Sequence, residues 1–76
     1  MDDKDIVRLI GDLADEEREL DAREPDPERD QRLHDVEVAL DQCWDLLRQR
    51  RARRAAGLDP DDAAVRSEGT VETFLQ

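Results

Sequence analysis

Apolar residues recur at helical spacing through the first third of the chain. Between residues 2 and 23 they are separated by steps of three, four and seven, and the set is Ile6, Leu9, Ile10, Leu13 and Leu20. This spacing places them on one arc of an α-helix. Asp2 or Asp3 can cap that helix, because acidic residues suit its positive end. The pattern predicts a first helix over about residues 3–23.

A Pro-Asp-Pro sequence at residues 25–27 interrupts the pattern. Proline disfavours helical geometry at the residue before it, and Asp26 followed by Pro27 is a typical N-cap and first-turn pair. Glycine commonly follows the C-terminus of a helix, and Gly57 is the next glycine along the chain. A second helix is therefore predicted over about residues 27–56.

The apolar stripe of the second helix is unusually wide. Its members have nearly heptad spacing and are Leu33, Val36, Leu40, Cys43, Trp44 and Leu47. Ala39 and Leu46 widen the arc to roughly 160°, whereas a core-facing stripe usually spans about 100°. One neighbouring helix would not cover that arc, and in a chain of 76 residues the obvious second neighbour is another copy. We therefore expect a homodimer.

Together these patterns predict an all-α fold. A short linker forces the two helices to run antiparallel, so residues in contact should have numbers that sum to roughly 50. We expect residues 1–57 to form this hairpin and two hairpins to pair into a four-helix bundle. The residues expected in the core or the dimer seam are Ile6, Leu9, Ile10, Leu13, Leu20, Leu33, Val36, Leu40, Cys43 and Leu47.

The sequence of the remaining residues, 58–76, predicts a short helix or an irregular tail. Asp59 and Pro60 can start one or two helical turns. Val71, Phe74 and Leu75 have helical spacing, and we expect them to dock on the hairpin or on a partner.

Charge is distributed unevenly in this acidic chain, whose formal net charge is −10. The main basic cluster ends the second helix and consists of Arg48, Arg50, Arg51, Arg53 and Arg54. Two interpretations are open. The arginines can pair with nearby acids at a helix C-terminus, where cations are favourable. Alternatively, they can contact the phosphates of DNA or RNA, although the surplus of acids opposes phosphate and favours the first interpretation.

Trp44 is the largest apolar side chain and also has two interpretations. It can pack in the core, between the helices or across a dimer seam, or it can be an exposed anchor for another protein, a role in which tryptophan is over-represented. Trp44 and the five clustered arginines are the candidate interaction residues.

No catalytic, cofactor or metal site is predicted. The single histidine, His34, follows Gln31 by three residues, so the Glu-x-x-His motif of helical di-iron proteins is not present. Cys43 lies on the apolar stripe, which indicates a small core residue rather than a reactive thiol. The sequence has a lone cysteine, and it has neither a signal segment of basic and apolar residues nor a long apolar run. These features predict a cytoplasmic protein that does not span a membrane.

The block from Leu40 to Arg54, with its Cys-Trp-Asp-Leu-Leu-Arg-Gln-Arg-Arg-Ala-Arg-Arg run, resembles an uncharacterised family of short, mostly actinobacterial proteins. The segments Met1–Ile6 and Val71–Gln76 share the resemblance, whereas the linker around Arg23–Gln31 does not contribute to it. The resemblance implies no activity and no functional residues. We therefore expect a non-enzymatic helical interaction protein that binds itself or another protein. The alternative is a nucleic-acid or ribonucleoprotein-associated factor acting through the arginines.

Overall fold

The computed structural model describes residues 1–67, and these form two packed α-helices followed by a short irregular segment. Helix α1 spans Asp3–Asp21 and helix α2 spans Pro27–Ala55. A 3-10 turn follows at Pro60–Asp62. The predicted all-α antiparallel hairpin is confirmed, while the pairing of two hairpins into a bundle stays a prediction. The apolar group Val71, Phe74 and Leu75 lies outside the described residues.

Each helix begins at an aspartate cap. The N–H of Asp5 donates to Asp2 Oδ1 over 2.9 Å, and the N–H of Asp2 donates back to Asp5 Oδ2 over 3.2 Å. At the start of α2, the N–H of Arg29 donates to Asp26 Oδ1 over 2.8 Å. These contacts pair backbone N–H groups that have no partner inside a helix.

An arginine closes the bend between the helices. Helix α1 ends at Asp21, and the first turn of α2 places the half-buried Arg29 beside that end. Its Nε donates to the carbonyl oxygen of Leu20 over 2.8 Å. A cation at a helix C-terminus also meets the negative end of the helix dipole. Arg29 thus links the end of α1 to the start of α2.

The core is small and lies between the two helices. Ile6, Ile10 and Leu47 form its centre, and Leu40, Cys43 and Leu46 pack against it while partly exposed. Leu20 and Val36 are buried as well, whereas Leu9, Leu13 and Leu33 are half-buried. The most buried aliphatic side chains are therefore those between α1 and α2.

Trp44 does not belong to this core. Its side chain is 46% exposed at the edge of the α2 stripe. The interpretation of Trp44 as a core anchor between α1 and α2 is wrong, because Leu47 and Leu40 lie closer to the centre of the buried arc. A dimer seam or an exposed anchor remains a prediction for this residue.

After α2 the chain reverses and runs back along that helix; we call residues 58–67 the return segment. Gly57 has φ +73° and allows the reversal. The N–H of Gly57 donates to the Arg54 carbonyl over 3.1 Å and the N–H of Leu58 to the Arg53 carbonyl over 2.8 Å. This pair of bonds is the Schellman arrangement, which pairs the last carbonyls of a helix.

Polar contacts hold the return segment on α2. Asp45 is only 1% exposed, and both of its oxygens accept from Arg66, each over 2.9 Å. Gln49 Nε2 donates to the Ala64 carbonyl over 2.7 Å, and Gln42 Nε2 donates to the Arg66 carbonyl over 3.3 Å. One side of α2 is therefore covered by the chain's own return segment.

The two glycines that the structure describes should respond oppositely to alanine. Gly11 lies inside α1 with open space around a Cβ, so Gly11→Ala should raise the free energy of unfolding by about 0.5–1 kcal/mol. Gly57→Ala should lower it by about 1 kcal/mol or more, because positive φ is strained for alanine. Urea unfolding monitored by circular dichroism measures both, and effects of the same sign would contradict the expectation.

Loss of the Asp45 carboxylate should loosen the return segment. Asp45→Asn replaces a charge-assisted bidentate contact with a neutral one, and we expect the free energy of unfolding to fall by about 1–3 kcal/mol. The control is Asp12→Asn, which changes an exposed helical aspartate with no ion pair to residues 1–67. Urea unfolding compares the two, and equal effects would contradict the structural role of Asp45.

Candidate interaction site

The arginine cluster at the end of α2 is divided between two sides of the helix, and Arg50 lies on the inner side. Arg50 is 6% exposed, although its residue type usually lies at the surface. Its Nε donates to Asp3 Oδ1 over 2.7 Å, and its Nη1 donates to Asp61 Oδ1 over 3.0 Å and to the Pro60 carbonyl over 3.2 Å. One guanidinium thus joins α1, α2 and the 3-10 turn, and Arg50 is not available to a partner.

Arg54 joins Arg50 on the same carboxylate. Its Nη1 donates to Asp3 Oδ1 over 3.1 Å, and its Nη2 contacts the other oxygen of Asp3. Hydrogen bonds from Arg54 and then from Arg50 lower the pKa of Asp3 to about 2. In turn, the hydrogen bonds to Asp3 and Asp61 raise the pKa of Arg50 above its ordinary value. The Asp3 carboxylate and the Arg50 guanidinium therefore stay charged at neutral pH.

Arg53 also contacts the residues that follow α2. Its Nε donates to the Asp59 carbonyl over 2.6 Å, and its Nη2 lies 3.5 Å from Asp62 Oδ2. Arg50, Arg53 and Arg54 thus have oxygen partners within the chain, as the pairing interpretation of the cluster requires.

Arg48 and Arg51 lie on the other side of α2 and remain exposed. Within residues 1–67, the closest carboxylate oxygen to Arg48 is that of Asp45, 3.9 Å from Nη2, and Asp45 already binds Arg66 on both oxygens. The side chain of Arg51 makes no hydrogen bond or ion pair with residues 1–67. Within the part of the chain that the structure describes, the Arg51 side chain therefore has no acidic partner, and Arg48 has only the long contact with Asp45.

Trp44 shares that outward side of α2, because residues 44, 48 and 51 follow one another at steps of four and three. The return segment covers a different side, which carries Gln42, Asp45 and Gln49. On α1, Val7 is also exposed, by 53%. The structure thus groups Trp44 with two arginines on a face that no described segment covers.

A cavity of about 410 Å³ adjoins the inner arginine. Its walls are Met1, Asp2, Asp5, Leu46, Arg50, Asp61 and Ala63. Three of these residues are aspartates, and the lining arginine, Arg50, already donates to Asp3 and Asp61. Such walls repel phosphate, so the cavity does not favour a nucleotide or nucleic-acid backbone.

A smaller groove, of about 230 Å³, includes Cys43 in its lining. It is mostly apolar and is lined by Met1, Leu9, Ala39, Gln42, Cys43, Leu46 and Val65. Burial raises the pKa of the Cys43 thiol. The thiol is therefore protonated at neutral pH, and a protonated thiol is a poor nucleophile and metal ligand.

Two further findings concern metal binding and membrane insertion. Within residues 1–67, no three His, Cys, Asp or Glu side chains are arranged to hold a metal ion. None of the helices in that part of the chain is long and apolar enough to cross a membrane.

Sequence reasoning missed the Asp45–Arg66 pair. The available signal was a polar row at helical spacing, Gln42, Asp45 and Gln49, beside the apolar stripe of α2. A polar row of this kind is typical of solvated helix surface, and the return segment has no periodic pattern that would place Arg66 against it.

Acidification should weaken the hairpin through Asp3. Because folding lowers the pKa of the Asp3 carboxyl, this group stabilises the fold at pH values above its ordinary pKa of 3.8. The stabilisation is lost as the pH falls through about 2. We expect Asp3→Asn to lower the urea midpoint at pH 7, and its difference from the native protein to shrink between pH 4 and pH 2. Glu19→Gln, a change at an exposed position of α1, controls for the loss of one carboxylate. A difference that is constant over this pH range would contradict the role of Asp3.

Comparisons with known proteins place the chain in a family. Residues 2–76 match the model of the family described as "Protein of unknown function (DUF2630)". An uncharacterised protein of Mycobacterium bovis and one of Mycobacterium tuberculosis are each 44% identical to it over 77 residues, covering 95% of this chain and 88% of the relative. No solved structure matches. This acidic helical hairpin belongs to that family of unknown function, as the arginine-rich block of α2 indicated.

Proposed function

We propose that this protein is a non-enzymatic interaction module that works as a homodimer through the outward side of α2. One observation carries the proposal: Trp44, the largest apolar side chain, is 46% exposed on a side that the return segment leaves open. Tryptophan is enriched among the residues that dominate binding energy at protein interfaces. Exposed Val7 on α1 adds apolar surface to the same hairpin.

The small core supports association as well. A domain of this size buries a modest share of its surface, and oligomerisation is one of the usual ways to stabilise it. Its centre consists of three side chains, Ile6, Ile10 and Leu47. Covering Trp44 with a second hairpin would remove further apolar surface from water, at roughly 25 cal/mol per Å².

The nucleic-acid alternative has weaker support. Arg50, Arg53 and Arg54 are paired with the chain's own acids, so two arginines of the cluster remain for phosphate. The net charge of −10 opposes a polyanion. A protein partner therefore fits these residues better than a phosphate backbone.

Sedimentation equilibrium over a range of concentrations tests the proposal. We expect the native protein to reach twice its 8.8 kDa chain mass. Trp44→Ala should raise the dissociation constant of the dimer by about thirtyfold or more, since truncating an interface anchor costs about 2 kcal/mol. The control is Val65→Ala, which shortens an exposed apolar side chain on the return segment and should leave the constant unchanged.

Fluorescence gives a second readout, because Trp44 is the single tryptophan. Its emission should shift to shorter wavelength as the concentration rises and the indole is buried. A single-chain mass at every concentration would contradict the homodimer. Salt-sensitive binding of DNA or RNA by the native protein would support the alternative function instead.

A further inference from the structure

Five residues of α2 form a symmetric pattern of charge around Trp44. Residues 37, 41, 44, 48 and 51 are separated by steps of four, three, four and three, so they lie along one heptad-like stripe. We call this set the outer stripe, and its members in order are Glu37, Asp41, Trp44, Arg48 and Arg51. Two acids precede the tryptophan and two arginines follow it: Glu37 and Arg51 each lie seven residues away, and Asp41 and Arg48 lie three and four residues away.

Within residues 1–67, the charged side chains of the outer stripe have few partners. Glu37 is exposed and Asp41 half-buried, and neither makes an ion pair with residues 1–67. Arg51 has no partner there either, and the carboxylate nearest to Arg48, 3.9 Å away, is already held by Arg66. The acids and the arginines therefore remain available to a second molecule.

We infer that a second copy of this chain docks on the outer stripe with its α2 antiparallel, so that the two-fold axis passes near Trp44. The inference rests on the proposed homodimer and specifies its geometry. At about 1.5 Å per residue, Glu37 and Arg51 each lie about 10 Å from Trp44 along the helix, in opposite directions. An antiparallel partner places Glu37 of one copy against Arg51 of the other, and Asp41 against Arg48.

Charge complementarity selects this orientation. A parallel partner in the same register would place Glu37 against Glu37 and Arg51 against Arg51, and like charges in an interface disfavour association. The antiparallel arrangement forms each opposite-charge pair twice, because a two-fold interface repeats every contact. Trp44 then meets its own symmetry mate at the centre, where binding energy is usually concentrated.

Charge reversal with rescue tests the geometry. Glu37→Arg and Arg51→Glu should each raise the dissociation constant of the dimer by about tenfold or more, because each creates two like-charge contacts. The double variant, Glu37→Arg with Arg51→Glu, restores opposite charges and should return the constant to within about threefold of the native value. Sedimentation equilibrium measures all three, and circular dichroism checks that each variant is helical.

Matched controls separate a local effect from a change in net charge. Glu19→Arg and Arg23→Glu make the same changes at exposed positions of α1 and the bend, and both should leave the dissociation constant within about threefold of native. Unchanged dimerisation in both single stripe variants, or a double variant no better than the singles, would overturn the antiparallel stripe and leave the homodimer intact. A native protein that stays single-chain at every concentration would overturn both.

Discussion

The contact between the Arg50 guanidinium and the Asp3 carboxylate is the interaction on which the rest of the structure depends. Arg50 is buried, and a buried cation is costly unless oxygen atoms around it replace water. Asp3, Asp61 and the Pro60 carbonyl supply those oxygens from two other segments. The start of α1 and the 3-10 turn must therefore both lie beside the last turns of α2, and this requirement fixes the register of the hairpin at its open end.

The same contact explains how a strongly acidic chain accommodates five clustered arginines. Arg50 and Arg54 share one carboxylate, whose pKa is about 2, and Arg53 faces Asp62 of the 3-10 turn. These pairs satisfy the inner arginines locally, so the cluster does not form one continuous basic surface. Arg48 and Arg51 follow Trp44 on the outward side of α2, and they alter the chemistry of that face without making it a general anion-binding surface.

The hairpin could be predicted from sequence because its signals are local or periodic. Apolar spacing, the Asp26-Pro27 pair and Gly57 indicate two helices and their ends, and a short linker makes them antiparallel. Contacts such as Arg29 with Leu20 and Arg50 with Asp3 follow that antiparallel register.

The packing of the return segment and of Trp44 around α2 could not be predicted in this way. Asp45 and Arg66 are 21 residues apart and the segment that carries Arg66 has no periodicity, so no local pattern joins them. The wide stripe indicated that α2 needs two neighbours, but it could not show which residues each neighbour covers. The sequence therefore left open whether Trp44 packs between α1 and α2, where Leu47 and Leu40 lie instead.

In the proposed dimer, affinity and orientation come from different parts of the outer stripe. Two copies that each carry a net charge of −10 repel one another at long range, and salt screens this repulsion beyond about 8–10 Å. Exposed ion pairs contribute little net affinity, so burial of Trp44 must supply most of the free energy of association. The opposite charges on either side of it act mainly on specificity, because they favour the antiparallel arrangement and penalise the parallel one. Moderate salt therefore weakens the repulsion and the ion pairs together, and the apolar contact at Trp44 is the component that persists.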